Sequence, residues 1–339
     1  MRSTTWGIIG PGKIANKFAT ALTLVQNAQL GAVASRDLSK AQAFAKEHAA
    51  AGAHRSASGA PEAPRVYTSY EELAADPQID AVYIATPHGY HAEHAILCLK
   101  HGKAVLCEKP MALSARQVGE MVDAARSNRA FLMEAMWTRF LPMTAKIDET
   151  LAEGQLGSLQ YVRADFGFLA PFNPEGRLYN LRLGGGALLD IGIYPLFLAT
   201  HLLGEPERIV ATGHRAPTGA DDTCHAILEY PNGASAVISC NLTCQTGITA
   251  EIAGTQGMIR IPGAWYKNDH FQLHRTGEEP QTIQLEPMVN GFEYQIREVM
   301  KCLEEGRIES PKMSLEFSLM LARTMDTIRV QLGVKYPTE

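Results

Sequence analysis

Residues 4–22 read TTWGIIGPGKIANKFATAL, in which a short apolar strand, a glycine turn and an amphipathic helix follow one another in that order. Glycines in such a turn let the backbone approach a pyrophosphate, whose charge then faces the N-terminus of the helix. The spacing Gly10-x-Gly12-x-x-Ala15 is typical of dinucleotide-binding domains. The residues expected to bind the dinucleotide here are Gly10, Pro11, Gly12, Lys13, Ile14 and Ala15.

The second strand, LGAVASR at residues 30–36, helps to distinguish between NAD and NADP as the cofactor. An NAD site places a carboxylate about twenty residues after the glycines, where it binds the ribose 2′-hydroxyl. This chain has Ser35 and Arg36 there, and Lys40 follows one helical turn later. Because cations suit a 2′-phosphate, we expect the cofactor to be NADP. In the alternative interpretation, Arg36 is a solvated strand-end residue and Asp37 caps the next helix.

Alternation of strands and helices continues to about residue 130 and predicts a doubly wound parallel sheet, which binds ligands at the carboxyl ends of its strands. One such end lies within IDAVYIATPHGYH, residues 79–91. The histidines His88, His91 and His94 lie at spacings of three, but no acidic or thiol partner completes a set of ligands, so we predict no metal. The residues expected near the cofactor at this turn are Thr86, Pro87 and His91.

A third strand end carries a lysine. The strand KAVLC, residues 103–107, stops at Glu108-Lys109-Pro110. Since it ends at the same edge of the sheet, we expect Glu108 and Lys109 beside the nicotinamide. The Lys109–Pro110 bond is a candidate for the cis form, which marks tight turns. Taken alone, a solvent-exposed lysine paired with Glu108 is the simpler interpretation.

Composition limits the class of protein. The 339 residues are 46% hydrophobic, which suffices for two domain cores, and the net charge of −5 gives no basic field for nucleic acid. No apolar run reaches the roughly 18 residues of a membrane span, and no signal-peptide pattern is present, so we expect a cytoplasmic protein that binds small molecules. The six cysteines are expected to be reduced core thiols. Residues 49–65 are rich in small residues and predict a surface loop without chemistry.

The second half of the chain has a different pattern. Segments between residues 159 and 261 alternate apolar and polar residues between turn signals, which predicts an antiparallel or mixed sheet. A wide sheet covered on one side leaves a face to bury, so we expect a homodimer or a larger assembly, with a homodimer through this sheet favoured. The expected fold class is therefore α/β, with a Rossmann domain over residues 1–130 and an α+β domain over residues 131–339. The C-terminal helix of the second domain can pack back on the first.

Within this half, LGGGALLDIGIYPLFLATHLLG at residues 183–204 predicts an apolar helix after a glycine triplet. Asp190 and Tyr194 are four residues apart and are expected on one face of that helix. A buried hydrogen-bonded pair is the plain alternative to a substrate site. Pro195 cannot donate to Ile191, so the turn before it should be disturbed.

Several motifs together resemble the glucose-fructose oxidoreductase / inositol dehydrogenase family (Gfo/Idh/MocA), most closely its branch of dimeric dihydrodiol dehydrogenases and NADP-dependent D-xylose dehydrogenases. They are GIIGPGKIA, ASRDLSKA, ATPHGYHAEHA, VLCEKPMAL, FLMEAMWTRFLP and GGGALLDIGIYPL, and they cover nearly the whole chain. Only the loop at residues 49–65 is longer than the family pattern. The resemblance implies an α+β domain whose large, mainly antiparallel sheet often forms the oligomer interface.

The resemblance also implies site residues. Lys109 is the active-site lysine, Trp137 and Arg139 line the nicotinamide region, and Asp190 and Tyr194 face the substrate. The substrate site is expected to extend into NPEGRLYNLRL and the residues before it, with a solvated loop as the alternative. The candidates are Phe168, Tyr179 and Arg182. Asn173 and Arg177 could add hydrogen bonds to the substrate.

These residues support a hypothesis for the chemistry. Tyr194 exchanges the proton of a substrate hydroxyl, Lys109 polarises the same oxygen and favours the phenolate, and Asp190 orients the hydroxyl or the lysine. The expected activity is hydride transfer between NADP and a pyranose C1, of D-xylose or D-glucose type, or a vicinal diol. Two alternatives stay open: an aldose-aldose oxidoreductase that keeps its NADP bound, and an NADP-binding sensor without turnover.

Overall fold

Six parallel strands, in the order β3-β2-β1-β4-β5-β6, form the first of two sheets. The computed structural model describes residues 3–49 and 63–337. The strands of this sheet are β1 Thr4–Ile9, β2 Ala28–Ala34, β3 Arg65–Tyr67, β4 Ala81–Ile84, β5 Ala104–Glu108 and β6 Leu132–Ala135. Every residue of β1, β4, β5 and β6 is buried, as expected for a parallel sheet covered on both faces.

Helices alternate with these strands and complete the predicted doubly wound fold. They are α1 Lys13–Leu22, α2 Leu38–Ala49, α3 Tyr70–Ala75, α4 His91–Lys100 and α5 Ala115–Asn128. The strand order reverses between β1 and β4, which is the switch point at which such sheets bind ligands. Residues 50–62 of the expected loop lie outside the described residues; Ala49 ends α2 and Arg65 begins β3.

Eight strands form the second sheet, in the order β14-β13-β12-β11-β7-β10-β9-β8. Only the β7–β10 pair is parallel among the described strands of this sheet, so the prediction of a mainly antiparallel sheet is confirmed. The strands are β7 Leu159–Gly167, β8 Arg208–Arg215, β9 Asp221–Glu229, β10 Ser235–Asn241, β11 Ala250–Gly254, β12 Gly257–Ile261, β13 His270–Arg275 and β14 Gln281–Gln284.

Four further α-helices follow β6 within the described residues. They are α6 Pro142–Ala152, α7 Ile193–Leu203, α8 Glu293–Glu304 and α9 Leu315–Leu332. In α7 every residue from Ile193 to Thr200 is buried, and the helix packs against β7 and β10. The segment Leu181–Leu203 is long and apolar enough to cross a membrane by composition, but 83% of its most apolar window is buried inside the protein, as in a core helix.

The division of the chain into units differs from the expected boundary at residue 130. The first unit comprises Met1–Ala112, Arg116–Trp137 and Val289–Ser318, and the second comprises Leu113–Ala115, Thr138–Met288 and Leu319–Glu339. The segment that carries α8 therefore belongs to the first unit. Its side chains explain why: Asn290 donates to the Lys17 carbonyl and Arg297 to that of Leu24, both on or just after α1.

The six cysteines are all free thiols, and only Cys244 is exposed. This agrees with the expectation of reduced thiols, while the cytoplasmic location stays a prediction. The Lys109–Pro110 peptide is cis, as the sequence suggested.

The expected single helix over the DIGIY motif is interrupted. Residues Leu188–Gly192 form a π-helical turn, and the regular helix α7 begins only at Ile193. Pro195 lacks an N–H and cannot complete the α-helical bond to Ile191, which is the disturbance predicted from the sequence. Single π-turns of this kind are common at functional sites.

Candidate active site

The glycine turn after β1 is closely packed against the end of β4. Gly10 has φ of +91°, and a Cβ on it would lie 2.9 Å from the Ala85 carbonyl oxygen. Its N–H donates to the Ala34 carbonyl at the end of β2. Only glycine tolerates both this positive φ and this close contact. Gly10 therefore lies where the ends of β1, β2 and β4 meet.

The N-terminus of α1 lies just beyond this turn and fits a pyrophosphate. Gly12 is its N-cap, and no side chain of the described residues caps the helix there. A Cβ on Gly12 would meet no described atom within 4 Å, and the first turn carries no acidic residue. Unsatisfied N–H groups facing open space suit an anion. Lys13 and Ile14 are exposed at this point, whereas Ala15 is fully buried under the helix.

The end of β2 presents the residues expected to select the cofactor. Arg36 is exposed, and its guanidinium lies 5.7 Å from the centre of the Tyr90 ring. Ser35 is buried and its hydroxyl accepts the Asp37 N–H. Asp37 caps α2 by accepting the Lys40 N–H at 3.2 Å, as expected, and also lies 3.5 Å from the exposed Lys40 ammonium. Arg36 and Lys40 are thus both held at this strand end.

Two histidines, His91 and His94, hold the turn after β4 in place. His91 has no exposed surface, and its ring nitrogens lie 2.8 Å from the carbonyl oxygens of Thr86 and Pro110. Burial lowers the pKa of His91 to about 4, against the effect of these two carbonyls. A neutral ring has one N–H, so it donates to one carbonyl at a time. His91 therefore positions two turns through their backbones, and its place near the cofactor stays a prediction.

His94 completes this turn. Its Nδ1 lies 3.1 Å from the Thr86 hydroxyl, and its ring packs on Tyr70 and Tyr90. Burial, followed by the nearby Arg36 charge, lowers the pKa of His94 to about 4. A neutral His94 can thus lie close to a guanidinium. Tyr90 was not singled out from the sequence, because a tyrosine in a short turn carries no distinguishing pattern.

The turn that carries Lys109 is fastened by two buried carboxyl groups. Glu108 accepts hydrogen bonds from the Tyr83 hydroxyl and from the Lys109 N–H. Glu134, on the neighbouring strand β6, accepts the Met111 N–H at 2.9 Å. Lys109 itself is half-buried at the carboxyl edge of the sheet. Glu108 lies buried beneath the turn, and the alternative interpretation, in which Lys109 pairs with Glu108 for solubility, stays a prediction.

Trp137 is buried within the first unit. Its ring stacks on Phe292 with centroids 5.1 Å apart, and the Lys17 ammonium lies 4.4 Å from its centre. Lys17 lies one turn into α1, so Trp137 supports the helix whose N-terminus forms the nucleotide site. Its contact with the nicotinamide stays a prediction.

In the second unit, Tyr194 and Asp190 share a neighbour. The Arg177 guanidinium donates to the Asp190 carboxylate at 2.8 Å. Tyr194 is 6% exposed, and its ring packs against Phe166 and Tyr266 at centroid distances of 5.5 and 5.1 Å. Although burial acts in the opposite direction, the charges of Asp190 and Tyr194 raise the pKa of Arg177. Arg177 is therefore a third member of this group, and the alternative of a buried hydrogen-bonded pair between Asp190 and Tyr194 stays a prediction.

The glycine triplet lets this motif pack closely. Gly186 has φ of +143°, and a Cβ on it would lie 2.3 Å from the Asp221 carboxylate. That carboxylate accepts the Leu188 N–H at 2.6 Å and so caps the π-turn. Burial raises the pKa of Asp221 to about 6. Asp221 is distant in sequence from the motif, so no local pattern indicates it.

The remaining predicted residues of this unit have diverse environments. Arg139 pairs with Asp148 at 3.1 Å, and Asp148 also binds His201. Tyr179 is buried and its hydroxyl donates to the Ala170 carbonyl, so this phenol holds its own loop. Phe168 is half-buried and Arg182 is exposed. Their roles toward cofactor or substrate stay predictions.

No cluster of three or more metal-ligating side chains occurs within residues 3–49 and 63–337.

Two family descriptions match most of the chain. Residues 4–136 match the oxidoreductase-family NAD-binding Rossmann fold, and residues 144–260 match the GFO/IDH/MocA C-terminal domain. The chain belongs to the GFO/IDH/MocA family. It is an oxidoreductase of dehydrogenase type with an NAD(P)-binding Rossmann domain, and the resemblance noted in the sequence is confirmed.

Relatives within this family act on diols and sugars. The chain is 38% identical over 345 residues to the trans-1,2-dihydrobenzene-1,2-diol dehydrogenase of Bos taurus, covering 98% of each protein. The enzyme of that name from Xenopus laevis is 39% identical over 348 residues, covering 99% of this chain and 100% of the relative.

Solved structures agree in fold. An aldose-aldose oxidoreductase from Caulobacter crescentus complexed with glycerol is 25% identical with a TM-score of 0.86, covering 98% of both chains. A 3-ketoreductase from Actinomadura kijaniata in complex with NADP and TDP-benzene is 26% identical with a TM-score of 0.83, also covering 98% of both chains. The oxidoreductase fold of this chain is therefore shared over nearly its whole length.

The buried Glu134 gives a pH-dependent stability that can be measured. Burial, with a smaller contribution from Glu108, raises the pKa of Glu134 from 4.5 to about 7. The folded protein thus binds the Glu134 proton more tightly than the unfolded chain does. The stability that this proton contributes is fully present below pH 4.5 and is lost as the pH rises to about 7. We expect the free energy of unfolding of the wild type, relative to Glu134→Gln, to fall by up to about 3 kcal/mol across this window.

Urea unfolding of both proteins at a series of pH values between 4.5 and 8 measures this difference. Glu120→Gln is the matched control, because Glu120 is an exposed glutamate on α5. A difference between wild type and Glu134→Gln that stays constant over the whole series would contradict the shifted pKa.

Proposed function

We propose that this chain transfers a hydride between NADP and the C1 carbon of a pyranose, of D-xylose or D-glucose type, or a vicinal diol. The observation that carries the proposal is the position of Lys109, presented at the carboxyl edge of the parallel sheet by a turn fastened on both sides. The uncapped α1 N-terminus at the same edge suits the pyrophosphate. Relatives named as diol dehydrogenases and a solved aldose-aldose oxidoreductase support this substrate class.

The chain's own residues must position the reacting carbon and manage its proton. When bound, the nicotinamide supplies the hydride acceptor. In our proposal Tyr194 accepts the hydroxyl proton, Lys109 stabilises the negative charge that develops on the same oxygen, and Asp190 orients the hydroxyl. A free tyrosine, with a pKa near ~10, is a poor base at neutral pH, so a nearby cation is required. The buried Tyr194 ring has such a cation within its own unit in Arg177.

Removing the phenol hydroxyl tests this role. We expect Tyr194→Phe to lower kcat about 10²-fold or more with little change in KM, because the group acts on the proton in the transition state. Turnover is followed at 340 nm with aldoses and vicinal diols. Tyr230→Phe is the matched control, since the buried Tyr230 hydroxyl has no hydrogen-bond partner among the described residues. A loss of less than about tenfold would assign the proton to another group.

The choice of cofactor rests on Arg36. Its exposed guanidinium at the end of β2, with Lys40 on the following turn, suits a 2′-phosphate. We expect Arg36→Ala to raise KM for NADP by about tenfold or more while KM for NAD changes little, because only NADP carries the phosphate. Initial rates with both cofactors measure this split. An equal rise in both KM values would show that Arg36 does not contact the phosphate.

A second candidate function is favoured by the likeness to the Caulobacter crescentus aldose-aldose oxidoreductase. In such an enzyme one sugar is oxidised and another is reduced without release of the cofactor. The same groups on Lys109, Asp190 and Tyr194 would serve both half-reactions. NADP that stays with the protein through desalting, and is released only by denaturation, would favour this candidate over the simple dehydrogenase.

We also propose a homodimer through the open face of the second sheet. On that face Val210, Ile227 and Val237 lie side by side across β8, β9 and β10. Val210 and Ile227 are 45% and 46% exposed, which is unusual for neighbouring apolar side chains in a monomer. The row continues through Arg163 on β7 to the Glu251–Arg260 ion pair, so apolar and charged groups are both available to a second copy.

A charge placed in this row should prevent association. We expect the wild type to have twice the 36.9 kDa mass of one chain in light scattering, and Ile227→Glu to have the mass of one chain, since a buried unpaired carboxylate is costly. Val289→Glu is the control, because Val289 is an exposed apolar residue of the first unit. A wild type with the mass of a single chain would exclude the dimer.

A further inference from the structure

We propose that Arg177 is a positioning residue, whose guanidinium fixes the Asp190 carboxylate and supplies the positive charge that favours the ionised form of Tyr194. The inference rests on the proposed role of Tyr194 in proton exchange. It adds a cation from the second unit itself to the one proposed from Lys109. No pattern in the sequence distinguishes this arginine from its neighbour Arg182.

The two side chains of the Arg177–Asp190 ion pair differ in how deeply they are buried. The Asp190 side chain is 9% exposed, whereas that of Arg177 is 58% exposed, and the two are 2.8 Å apart. Burying a carboxylate is costly unless it is paired, so the ion pair with Arg177 helps to keep Asp190 charged in place. The exposed side of the guanidinium leaves a route by which solutes can reach this position.

Both partners are held on fixed backbone. Arg177 follows a turn in which the Asn173 carbonyl accepts the Gly176 N–H, and the Gly176 carbonyl then accepts the N–H groups of the next loop residues. Asp190 lies in the π-turn that Asp221 caps through Leu188. The pair therefore joins the loop before the glycine triplet to the helix after it.

Tyr194 lies in conflicting surroundings. Its near-complete burial against Phe166 and Tyr266 opposes ionisation, and the Asp190 carboxylate opposes it further. Within the second unit the charge of Arg177 acts on Tyr194, and the Lys267 ammonium lies 5.7 Å from the ring centre of the neighbouring Tyr266. The pKa of Arg177 is raised partly by the Tyr194 charge, and because attraction between two charges is mutual, Arg177 favours the phenolate.

Removing Arg177 should therefore have two effects of the same sign. It takes away a positive charge near the phenol and removes the Arg177 ion pair from the Asp190 carboxylate. Both raise the pH at which Tyr194 ionises. Neutralising Asp190 as well, in Arg177→Gln with Asp190→Asn, should return the titration toward that of the wild type.

The first experiment needs no turnover. Protein labelled with ¹³C at the tyrosine ζ carbon is titrated by NMR, and Tyr194→Phe identifies the Tyr194 resonance. We expect Arg177→Gln to shift its titration upward by roughly one pH unit, Arg177→Lys to shift it less, and Arg116→Gln, an exposed arginine on α5, to leave it unchanged. An unchanged titration in a folded Arg177→Gln protein would overturn the proposal. If the single variant unfolds, the double variant is compared with Asp190→Asn alone, from which it differs only at Arg177. We expect Tyr194 to titrate at higher pH in the double variant, and an equal titration in the two would overturn the proposal.

The second experiment uses catalysis. In Arg177→Ala we expect the acid limb of the pH profile of kcat/KM to move upward with the titration, and millimolar guanidinium to restore part of kcat through the exposed opening. Urea, which has a similar shape and no charge, should not restore it. Restoration by both solutes, or by neither, would contradict a role for the charge.

The outcomes separate this inference from the proposed function. If the wild type turns over no aldose or diol, the proposed function fails while the NMR titration still decides the role of Arg177. If Tyr194→Phe keeps its kcat and the titration shifts, the phenol is not the proton acceptor, although Arg177 still favours its ionisation. If turnover depends on Tyr194 and the titration does not move, only the Arg177 inference fails.

Discussion

The hydrogen bond from the Met111 N–H to the buried Glu134 carboxyl group fixes the place at which β5 delivers its lysine. Glu108 and His91 hold the same turn from the other sides, through the Lys109 N–H and the Pro110 carbonyl. A flexible lysine side chain thereby starts from a backbone with little freedom. Because catalytic geometry tolerates little displacement, the proposed role of Lys109 requires a backbone anchored in this way.

In the second unit, close packing rather than buried carboxyl groups alone holds the backbone that carries Asp190. Gly186 and Gly192 would each clash with a neighbour if they carried a Cβ, at the Asp221 carboxylate and the Cys240 sulfur respectively. The π-turn between them places Asp190 within reach of Arg177. The position of Asp190 thus depends on glycines that let a helix approach a sheet, and on the Asp221 carboxylate that caps the π-turn.

Local pattern was sufficient for much of the fold. The glycine turn, the alternation of elements and the apolar strands predicted the parallel sheet, and the alternating segments predicted the mainly antiparallel one. The cis peptide before Pro110 and the disturbance before Pro195 followed from the chemistry of proline. Each of these features is decided within a few residues along the chain, which is why sequence alone reveals it.

Features set by contacts distant in sequence were missed. Glu134 is 23 residues from Met111, and Asp221 is 33 residues from Leu188. The segment Val289–Ser318 joins the first unit because α8 packs on α1, which no local period indicates. Arg177 was noted only as a possible hydrogen-bond donor to a ligand, and its ion pair with Asp190 depends on how a loop folds back on a helix. Such groups could be found only once the backbone was known.

The most direct test of the claim that Lys109 serves hydride transfer is a deuterium-transfer measurement. D-Xylose deuterated at C1 is incubated with NADP and either wild type or Lys109→Met, and the reduced cofactor is analysed by mass spectrometry. We expect the wild type to place the deuterium on the cofactor and Lys109→Met to do so about 10²-fold more slowly or worse. Reduced cofactor without deuterium, or labelling by Lys109→Met at the wild-type rate, would contradict the claim.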